Sequence, residues 1–245
     1  MIGLDYAGSE RGLLGVGAGY AHTTTQLELE AGKINANSYF AFVYGTMSLS
    51  HFFLDVSLLA SINRFHNKRH ITFPGFTSNA WSKHNGWIVD PHLDLGYDFT
   101  FSWGGIEPFV GCDWAFDFEN KYTETGAYPL NMTIQQHDSS MLRSEGGIML
   151  YETRQFDDVV FVFKQSLSYV NQTFFGSGKV NAVIVGAPNG VLSVSSFTSS
   201  QNLIAPGLEI FAKKHNRASL SLAYQGEYGS GYSQSGVSGT ISVYY

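Results

Sequence analysis

Residues 51–63 read His-Phe-Phe-Leu-Asp-Val-Ser-Leu-Leu-Ala-Ser-Ile-Asn, and this stretch decides the fold class. Every second residue from Phe52 to Ile62 is apolar, whereas Asp55 and Ser57 lie between them. Because successive side chains of a β-strand point to opposite faces, a period of two predicts a strand with one apolar face. No stretch of the sequence shows a helical period of comparable strength, so we predict an all-β protein.

The same alternation recurs along the chain and predicts unusually long strands. Strands of globular proteins usually have about 5–6 residues. A tilted strand that crosses a membrane needs about 9–11 residues in the hydrocarbon alone, and most of the predicted strands are longer than that. The predicted strands are 2–7, 12–26, 34–47, 51–64, 86–101, 104–119, 137–153, 157–174, 198–214, 217–229 and 234–245.

Charged residues are segregated to one face of these strands. The apolar phase, which includes Leu14/Val16/Ala18/Tyr20, Phe40/Phe42/Tyr44, Ile204/Leu208/Ile210 and Leu220/Leu222/Tyr224, carries no charge. A lipid-facing Arg or Lys at mid-membrane costs about 2–4 kcal/mol, so we predict an antiparallel transmembrane β-barrel with the apolar phase toward lipid. A soluble sandwich would instead expose its charged face. The predicted lumen-facing charges are Asp55, Asp90, Asp94, Asp98, Glu107, Asp113, Asp117, Arg143, Glu145, Lys164, Glu209 and Glu227.

Composition agrees with a membrane barrel and excludes other classes. Only 14% of the 245 residues are charged, against about 25% in ordinary soluble domains. A net charge of −6 argues against nucleic acid as a partner. The single cysteine, Cys112, excludes a disulfide scaffold and a cysteine-ligated zinc site. The N-terminus has no basic stretch followed by an apolar core, and so no signal peptide is predicted.

The connections alternate between short and long. We predict tight turns at 48–50, 102–103, 154–156 and 215–216, and long loops at 65–85, 120–136 and 175–197. Outer-membrane barrels have short periplasmic turns and longer external loops. If residue 245 lies in the periplasm, every tight turn falls on that side, and the turn at 230–233 is the only short external connection.

Several pieces of the sequence, taken in order, resemble the C-terminal β-barrel domain of autotransporters, the translocator unit of type V secretion. The resemblance implies a single domain, 1–245, that anchors in the bacterial outer membrane and supports export of an N-terminal passenger. It also implies four partners: outer-membrane lipid or lipopolysaccharide, the barrel-assembly machinery, periplasmic chaperones and the passenger itself. The matching pieces are Gly3-Leu-Asp-Tyr6, Leu14-Gly-Val-Gly-Ala-Gly-Tyr20, Ser38-Tyr-Phe-Ala-Phe-Val-Tyr-Gly45, Leu95-Gly-Tyr-Asp-Phe99, Ile106-Glu-Pro-Phe-Val-Gly111, Leu142-Arg-Ser144 and Ala223-Tyr-Gln-Gly-Glu-Tyr-Gly-Ser-Gly-Tyr232.

The last predicted strand carries a candidate assembly signal. In the family, the assembly machinery recognises a C-terminal strand that has alternating apolar residues and an aromatic last residue. The residues that fit are Val237, Ile241, Val243 and Tyr245, with Tyr in place of the usual Phe. The alternative is an ordinary lipid-facing strand.

Family barrels have twelve strands, preceded by a helix that threads the pore. This sequence represents about eleven strands, because 2–7 is a stub. The resemblance therefore implies that the first strand, the pore helix and the passenger are missing, and that the chain is a fragment of a larger autotransporter. An open barrel would leave unpaired amides in lipid.

Other motifs give weaker alternatives. Gly15-x-Gly17-x-Gly19 lacks the third glycine of a dinucleotide fingerprint and opens no helix, so we interpret it as a strand with a small-residue lumen face that leaves room for the missing helix. His66 and His70 lie four residues apart in a predicted solvated loop, and a metal site is the less favoured interpretation.

We predict no catalytic residue, no metal and no cofactor. Asp90, Asp94 and Asp98 share a strand face, but neighbours four residues apart are about 13 Å from each other, too far for a shared site. Ten carboxylates and two cations on the predicted inward face indicate an acidic lumen that favours cations. The rival functions are a non-secretory outer-membrane barrel, either porin-like or an adhesin that binds through its loops, and a soluble all-β binding module.

Overall fold

The structure, a computed structural model, describes residues 1–9, 12–176, 179–195, 200–214 and 217–243. No helix in these ranges is long and apolar enough to span a membrane. A short 3₁₀ turn, Glu28–Glu30, connects two of the strands. The strands are β1 (Ile2–Ser9), β2 (Gly12–Leu27), β3 (Gly32–Leu49), β4 (Phe52–Phe73), β5 (Phe76–Tyr97), β6 (Phe99–Phe101), β7 (Gly104–Glu119), β8 (Tyr122–Thr123), β9 (Met132–Ile134), β10 (His137–Phe156), β11 (Val159–Phe175), β12 (Lys179–Ile184), β13 (Val191–Ser195), β14 (Gln201–Lys214), β15 (Ala218–Gly229) and β16 (Tyr232–Val243).

The long strands form one antiparallel sheet in which each strand follows its neighbour in the sequence. The order is β1-β2-β3-β4-β5-β7-β10-β11-β14-β15-β16, and the short β6 pairs with β7. Among the described residues, β1 pairs only with β2 and β16 only with β15, so both ends of the sheet are edges. The prediction of an antiparallel all-β fold of barrel type is confirmed.

The sheet curls toward the face that carries the charges. Arg143 on β10 and Glu227 on β15 lie on this face, and three inter-strand steps of about 4.8 Å would set their backbones about 14 Å apart on a flat sheet. Their side chains nevertheless meet, with Arg143 Nη2 donating to Glu227 Oε1 at 2.9 Å. Val170 and Leu203, which are 0% and 1% exposed, lie on the same inner face. The outer face is apolar and exposed, with Leu14, Ile62, Val110, Leu167 and Leu222 as examples.

Two rows of aromatic residues border the outer apolar face. Near the short turns, Phe52 lies opposite Tyr97, with ring centroids 4.8 Å apart. At the other end one register row, which we name the upper aromatic row, joins Tyr20, Tyr39, Ile62, Trp87 and Phe118. The rows are ten residues apart along β4, from Phe52 to Ile62, which is about 34 Å of strand. At a tilt of 35–45° the apolar band is therefore about 24–28 Å tall, the height that outer-membrane barrels show.

The predicted loop 65–85 is wrong, because this segment is a hairpin. β4 and β5 remain paired to Phe73 and Phe76, and Pro74-Gly75 makes the turn, with Gly75 at φ +84°. Beyond the upper aromatic row both faces of the hairpin meet polar surroundings, so the alternation that reveals strands inside the membrane disappears while the backbone pairing continues. The Pro74-Gly75 turn and the turn at 230–231 lie at the same end of the sheet, which we name the extended end. The predicted turn at 230–233 is consequently not the only short connection there.

The other two predicted loops also contain strands. β8 and β9 lie within 120–136, and β12 and β13 lie within 175–197. These four strands form a second sheet in the order β13-β12-β9-β8, at the extended end. At the opposite end, which we name the turn end, tight turns lie at 50–51, 102–103 and 157–158. The turn 102–103 is as predicted, the first and third lie later than the predicted 48–50 and 154–156, and the predicted turn 215–216 lies outside the described residues. The predicted strand 86–101 is interrupted at Asp98, whose backbone N–H bonds to the His51 carbonyl at 2.7 Å.

The predicted face of β3 is inverted. Phe40, Phe42 and Tyr44 were predicted to face lipid, but register pairs them with Gly19, Gly17 and Gly15 on the inner face of β2. Their neighbours Tyr39 and Val43 face outward and are exposed instead. The reason is that both faces of this strand are apolar, so its period alone cannot choose between them.

Candidate functional site

The centre of the inner face is a charge cluster around one guanidinium. Arg143 on β10 contacts the carboxylates of Glu145, Asp113 (3.4 Å) and Glu227 (2.9 Å). Ser168 on β11 donates a further hydrogen bond to Glu145. A single cation thus holds carboxylates from three strands, β7, β10 and β15, which would otherwise repel one another in a partly desolvated space.

An imidazole continues this cluster toward β5 and β4. His92 Nδ1 lies 2.6 Å from Asp113 Oδ1, and its Nε2 lies 3.2 Å from Asp94 Oδ2. Asp94 is directly opposite Asp55 in the register of β4 and β5. The imidazole therefore bridges two carboxylates. The cluster extends over the neighbouring strands β4, β5, β7, β10 and β11 and also includes Glu227 of β15.

These side chains border an open cavity of about 540 Å³ on the inner face. Its lining includes Asp55, His92, Asp94, Arg143, Glu145 and Glu227, together with Phe53, Phe109 and Met149. The mixture of carboxylates, one guanidinium and aromatic rings is polar enough to be hydrated and offers hydrogen-bond partners to a passing peptide backbone. Six of the predicted lumen-facing residues and the neighbouring His92 are thus brought near one another, through a pairing that the sequence did not reveal.

The remaining predicted lumen-facing residues lie on the same inner face but outside this cluster. Lys164 and Glu209 form their own ion pair at 3.4 Å. Tyr151 donates to Asp98 at 2.9 Å, and Glu107 pairs in register with Met149. Asp90 lies opposite Leu59, and Asp117 lies opposite Ile88. The predicted preference of an acidic lumen for cations stays a prediction.

A second feature of the inner face, missed by the sequence reading, is a set of aromatic rings packed over glycines. A Cβ atom added to Gly17 would lie 2.4 Å from Cζ of Phe42, and one added to Gly19 would lie 2.4 Å from Cζ of Phe40. The rings of Phe40 and Phe42 are stacked at 6.4 Å, and those of Phe42 and Tyr44 at 5.8 Å. The glycine face predicted to leave room for a helix is covered by these rings. The available signal was the register of alternate glycines against alternate aromatics.

The terminal strand exposes both faces and one edge. Val237, Ile241 and Val243 lie on the outer face of β16 and are 73%, 77% and 57% exposed. They pair with Tyr224, Leu220 and Ala218 of β15. Tyr245, the predicted aromatic end of the assembly signal, lies outside the described residues.

At the extended end an ion pair joins the β4–β5 hairpin to the second sheet. Arg69 Nε donates to Glu124 Oε1 at 2.9 Å, and Arg69 Nη2 donates to the Leu130 carbonyl at 2.9 Å. Glu124 also accepts from the Met132 backbone N–H at 2.8 Å. The Glu124 side chain is only 8% exposed and that of Arg69 is 30% exposed, so the carboxylate is shielded from solvent and the pair fixes the segment 120–136 against the hairpin.

A stack of rings accompanies this ion pair. His84 lies between Phe65 and Tyr122, with centroid distances of 4.7 Å and 4.0 Å. Burial raises the pKa of Tyr122, and the carboxylates of Glu119 and Glu124 raise it further, so the phenol stays neutral. The Tyr122 ring is therefore an uncharged member of a stack that packs beside the Arg69–Glu124 ion pair.

We expect Glu124→Gln to loosen the segment 120–136. The amide keeps the shape of the side chain but leaves the Arg69 guanidinium without its carboxylate, so local opening should become about tenfold more frequent. The measurement is the rate of tryptic cleavage after Lys121 in isolated outer membranes. Thr123→Val, which removes an exposed hydroxyl contact to Thr133 in the same sheet, is the control and should cleave at the parent rate. Equal rates for the two variants would contradict the role given to the ion pair.

The alternative metal site at His66 and His70 gains no support from the geometry. Both residues lie on the outer face of β4, four residues and about 13 Å apart along the strand. Among the residues that the structure describes, no three His, Cys, Asp or Glu side chains are grouped as metal ligands. His70 instead contacts Asn79 at 2.9 Å.

The fold and the inner face together define a class. Long antiparallel strands, an apolar outer band between aromatic rows and a charged concave face are the features of an outer-membrane β-barrel. The family model described as "Autotransporter beta-domain" matches residues 1–225 of this chain. The chain therefore belongs to the autotransporter β-domain family, the outer-membrane translocator unit of type V secretion. No curated protein matches the chain.

Proposed function

We propose that this domain anchors in the outer membrane and supports export and surface display of an N-terminal passenger. The observation that carries the proposal is the 540 Å³ charged cavity on the inner face of a sheet that belongs to the autotransporter family. Carboxylates and a guanidinium in this cavity can replace water around an extended peptide backbone. The role is physical rather than catalytic: the wall excludes lipid from the path and the outer band holds the wall in place.

The two sheet edges extend the proposal to assembly. Edges left open in hydrocarbon expose unpaired N–H and C=O groups, which cost several kcal/mol each. We propose that β1 and β16 pair with additional strand residues that lie N-terminal to this chain. Residues 1–245 would then be one part of a larger autotransporter domain. The exposed residues Val237, Ile241 and Val243 support recognition of β16 by the barrel-assembly machinery after delivery by periplasmic chaperones.

Export can be tested by the position of epitopes in intact cells. One epitope is placed within the N-terminal passenger encoded upstream of this domain in the natural gene, and a control epitope is placed in the 230–231 turn at the extended end. We expect antibody to label both epitopes on intact cells. Labelling of the turn epitope alone, with the first epitope reached only after permeabilisation, would replace export with a porin-like or adhesin role. Labelling of neither on intact cells would reverse the assigned orientation.

A further inference from the structure

The extended end carries a group of cations on its outer face, above the apolar band. Arg64, Lys68 and Lys83 lie on β4 and β5 in the same phase as the lipid-facing residues, and Lys33 of β3 lies opposite Lys68. We name Lys33, Arg64, Lys68 and Lys83 the basic outer patch. Its side chains therefore point to where lipid headgroups surround the barrel, and not into the lumen.

The described residues give this patch no ion-pair partner. In the described ranges, no Asp or Glu oxygen lies within 4.0 Å of any of its four cationic groups. The nearest partners are rings: Arg64 lies 5.5 Å from the ring centroid of Tyr39, and Lys68 lies 5.0 Å from that of Trp81. These ring contacts orient the cations and supply no opposite charge, although the protein as a whole has a net charge of −6.

The height of the patch fits a thick headgroup. Successive outward residues on a strand are about 6.8 Å apart, or about 5 Å along the membrane normal after tilt. Arg64 therefore lies about 5 Å above the upper aromatic row, Lys83 about 10 Å, and Lys33 and Lys68 about 14 Å. An ordinary phospholipid headgroup extends about 5–7 Å beyond the hydrocarbon and reaches only Arg64. The other three lie above that layer, at a height that requires a thicker headgroup such as a phosphorylated sugar.

A cavity of about 660 Å³ adjoins three of these cations. Its lining includes Lys33, Lys68 and Lys83, the half-exposed indole of Trp81, and the hydroxyl-bearing residues Thr123 and Thr125. Ammonium groups suit phosphate oxygens, while an aromatic face and hydroxyl groups suit a sugar ring. The cavity thus offers complementary partners for both halves of a phosphorylated sugar.

We propose that the basic outer patch and its cavity bind the phosphorylated sugar headgroup of an outer-leaflet glycolipid. The acyl chains of the bound lipid then lie along the outer apolar face below Tyr39, Ile62 and Trp87. One strand face therefore supplies both parts of the site, apolar below the aromatic row and cationic above it. The proposal does not depend on passenger export.

The test uses the full-length protein purified in detergent, with bisphosphorylated lipid A as the probe. The variant K33Q/K68Q/K83Q is compared with K121Q/K179Q/K214Q, which makes the same change in charge at exposed lysines elsewhere. Binding is measured at low salt as the rise in the temperature at which the gel mobility of the folded form is lost. We expect the patch variant to bind at least about tenfold more weakly than the parent, and the control to bind like the parent.

Two further probes distinguish the sources of phosphate. The deacylated, phosphorylated sugar should bind much more weakly than lipid A, and inorganic phosphate should give no shift in the millimolar range. Equal binding of the patch and control variants would overturn the proposed site. Equal binding of the acylated and deacylated probes would overturn the lipid as its ligand. Without any probe, both variants should unfold close to the parent temperature, because neither loses an ion pair among the described residues and the patch variant loses the weak contact of Lys68 with Trp81.

Discussion

Replacing Arg143 with Met is expected to lower the free energy of unfolding by about 2–3 kcal/mol. The variant leaves Asp113, Glu145 and Glu227 together on a concave surface without the cation that joins them. The Arg143 side chain is 20% exposed, so screening by water reduces the cost from the roughly 3–5 kcal/mol seen when a fully buried pair is broken. The measurement is the unfolding temperature in isolated outer membranes, followed by the shift in gel mobility on heating.

Lys164→Met is the matched control, because it removes the same charge from the same face. Among the described residues, the one ion pair of Lys164 is with Glu209, and both side chains are about one-third exposed, so the expected loss is about 0.5 kcal/mol or less. Arg143→Lys should lie between parent and Arg143→Met, since an ammonium keeps the charge but cannot reach three carboxylates at once. If Arg143→Met is as stable as Lys164→Met, the cluster does not hold the strands together.

The second large effect is expected for Gly17→Val. The new side chain must share space with the ring of Phe42, whose Cζ would lie 2.4 Å from the added Cβ. Overpacking of this kind costs about 1–3 kcal/mol. We expect less folded barrel in the outer membrane and more degradation. The measurements are the fraction of protein that keeps the mobility of the folded form on an unboiled gel and the fraction that resists protease.

Two variants identify the ring as the cause. Gly17→Val combined with Phe42→Ala should be less destabilised than the sum of the single changes, because the smaller side chain vacates the space. Gly236→Val places the same residue on the inner face of β16, where no atom lies within 4 Å of the added Cβ, and should fold normally. An additive double variant, or an equal defect at Gly236, would contradict the ring-over-glycine packing.

The sequence predicts what each strand exposes, but only part of how the strands meet. A period of two places Asp94, Asp113 and Glu227 inside, because a charge in lipid is costly whatever its neighbours are. Their convergence on Arg143 depends on the register of strands up to 84 residues apart in the chain. Register follows from turn lengths and sheet curvature, and neither is encoded in the alternation itself.

The errors have similar physical origins. On β3 the two faces are equally apolar, and the choice between them is made by the neighbouring strand, where Gly17 and Gly19 leave space for rings and Val16 does not. In the β4–β5 hairpin the pattern fades above Ile62 because water replaces lipid outside and polar residues become acceptable on both faces. Alternation therefore depends on which solvent surrounds each face of a strand, whereas backbone pairing continues where the alternation has ended.

The ten-residue separation of the aromatic rows also determines which bilayer suits this protein. A band of about 24–28 Å is shorter than the roughly 30 Å of average hydrocarbon, and bacterial outer membranes are thinner than average. A thicker bilayer would have to thin around the barrel, at a fraction of a kcal/mol for each ångström of mismatch around the perimeter. Hydrophobic mismatch therefore favours insertion in a thin bilayer such as the bacterial outer membrane over insertion in one of average thickness.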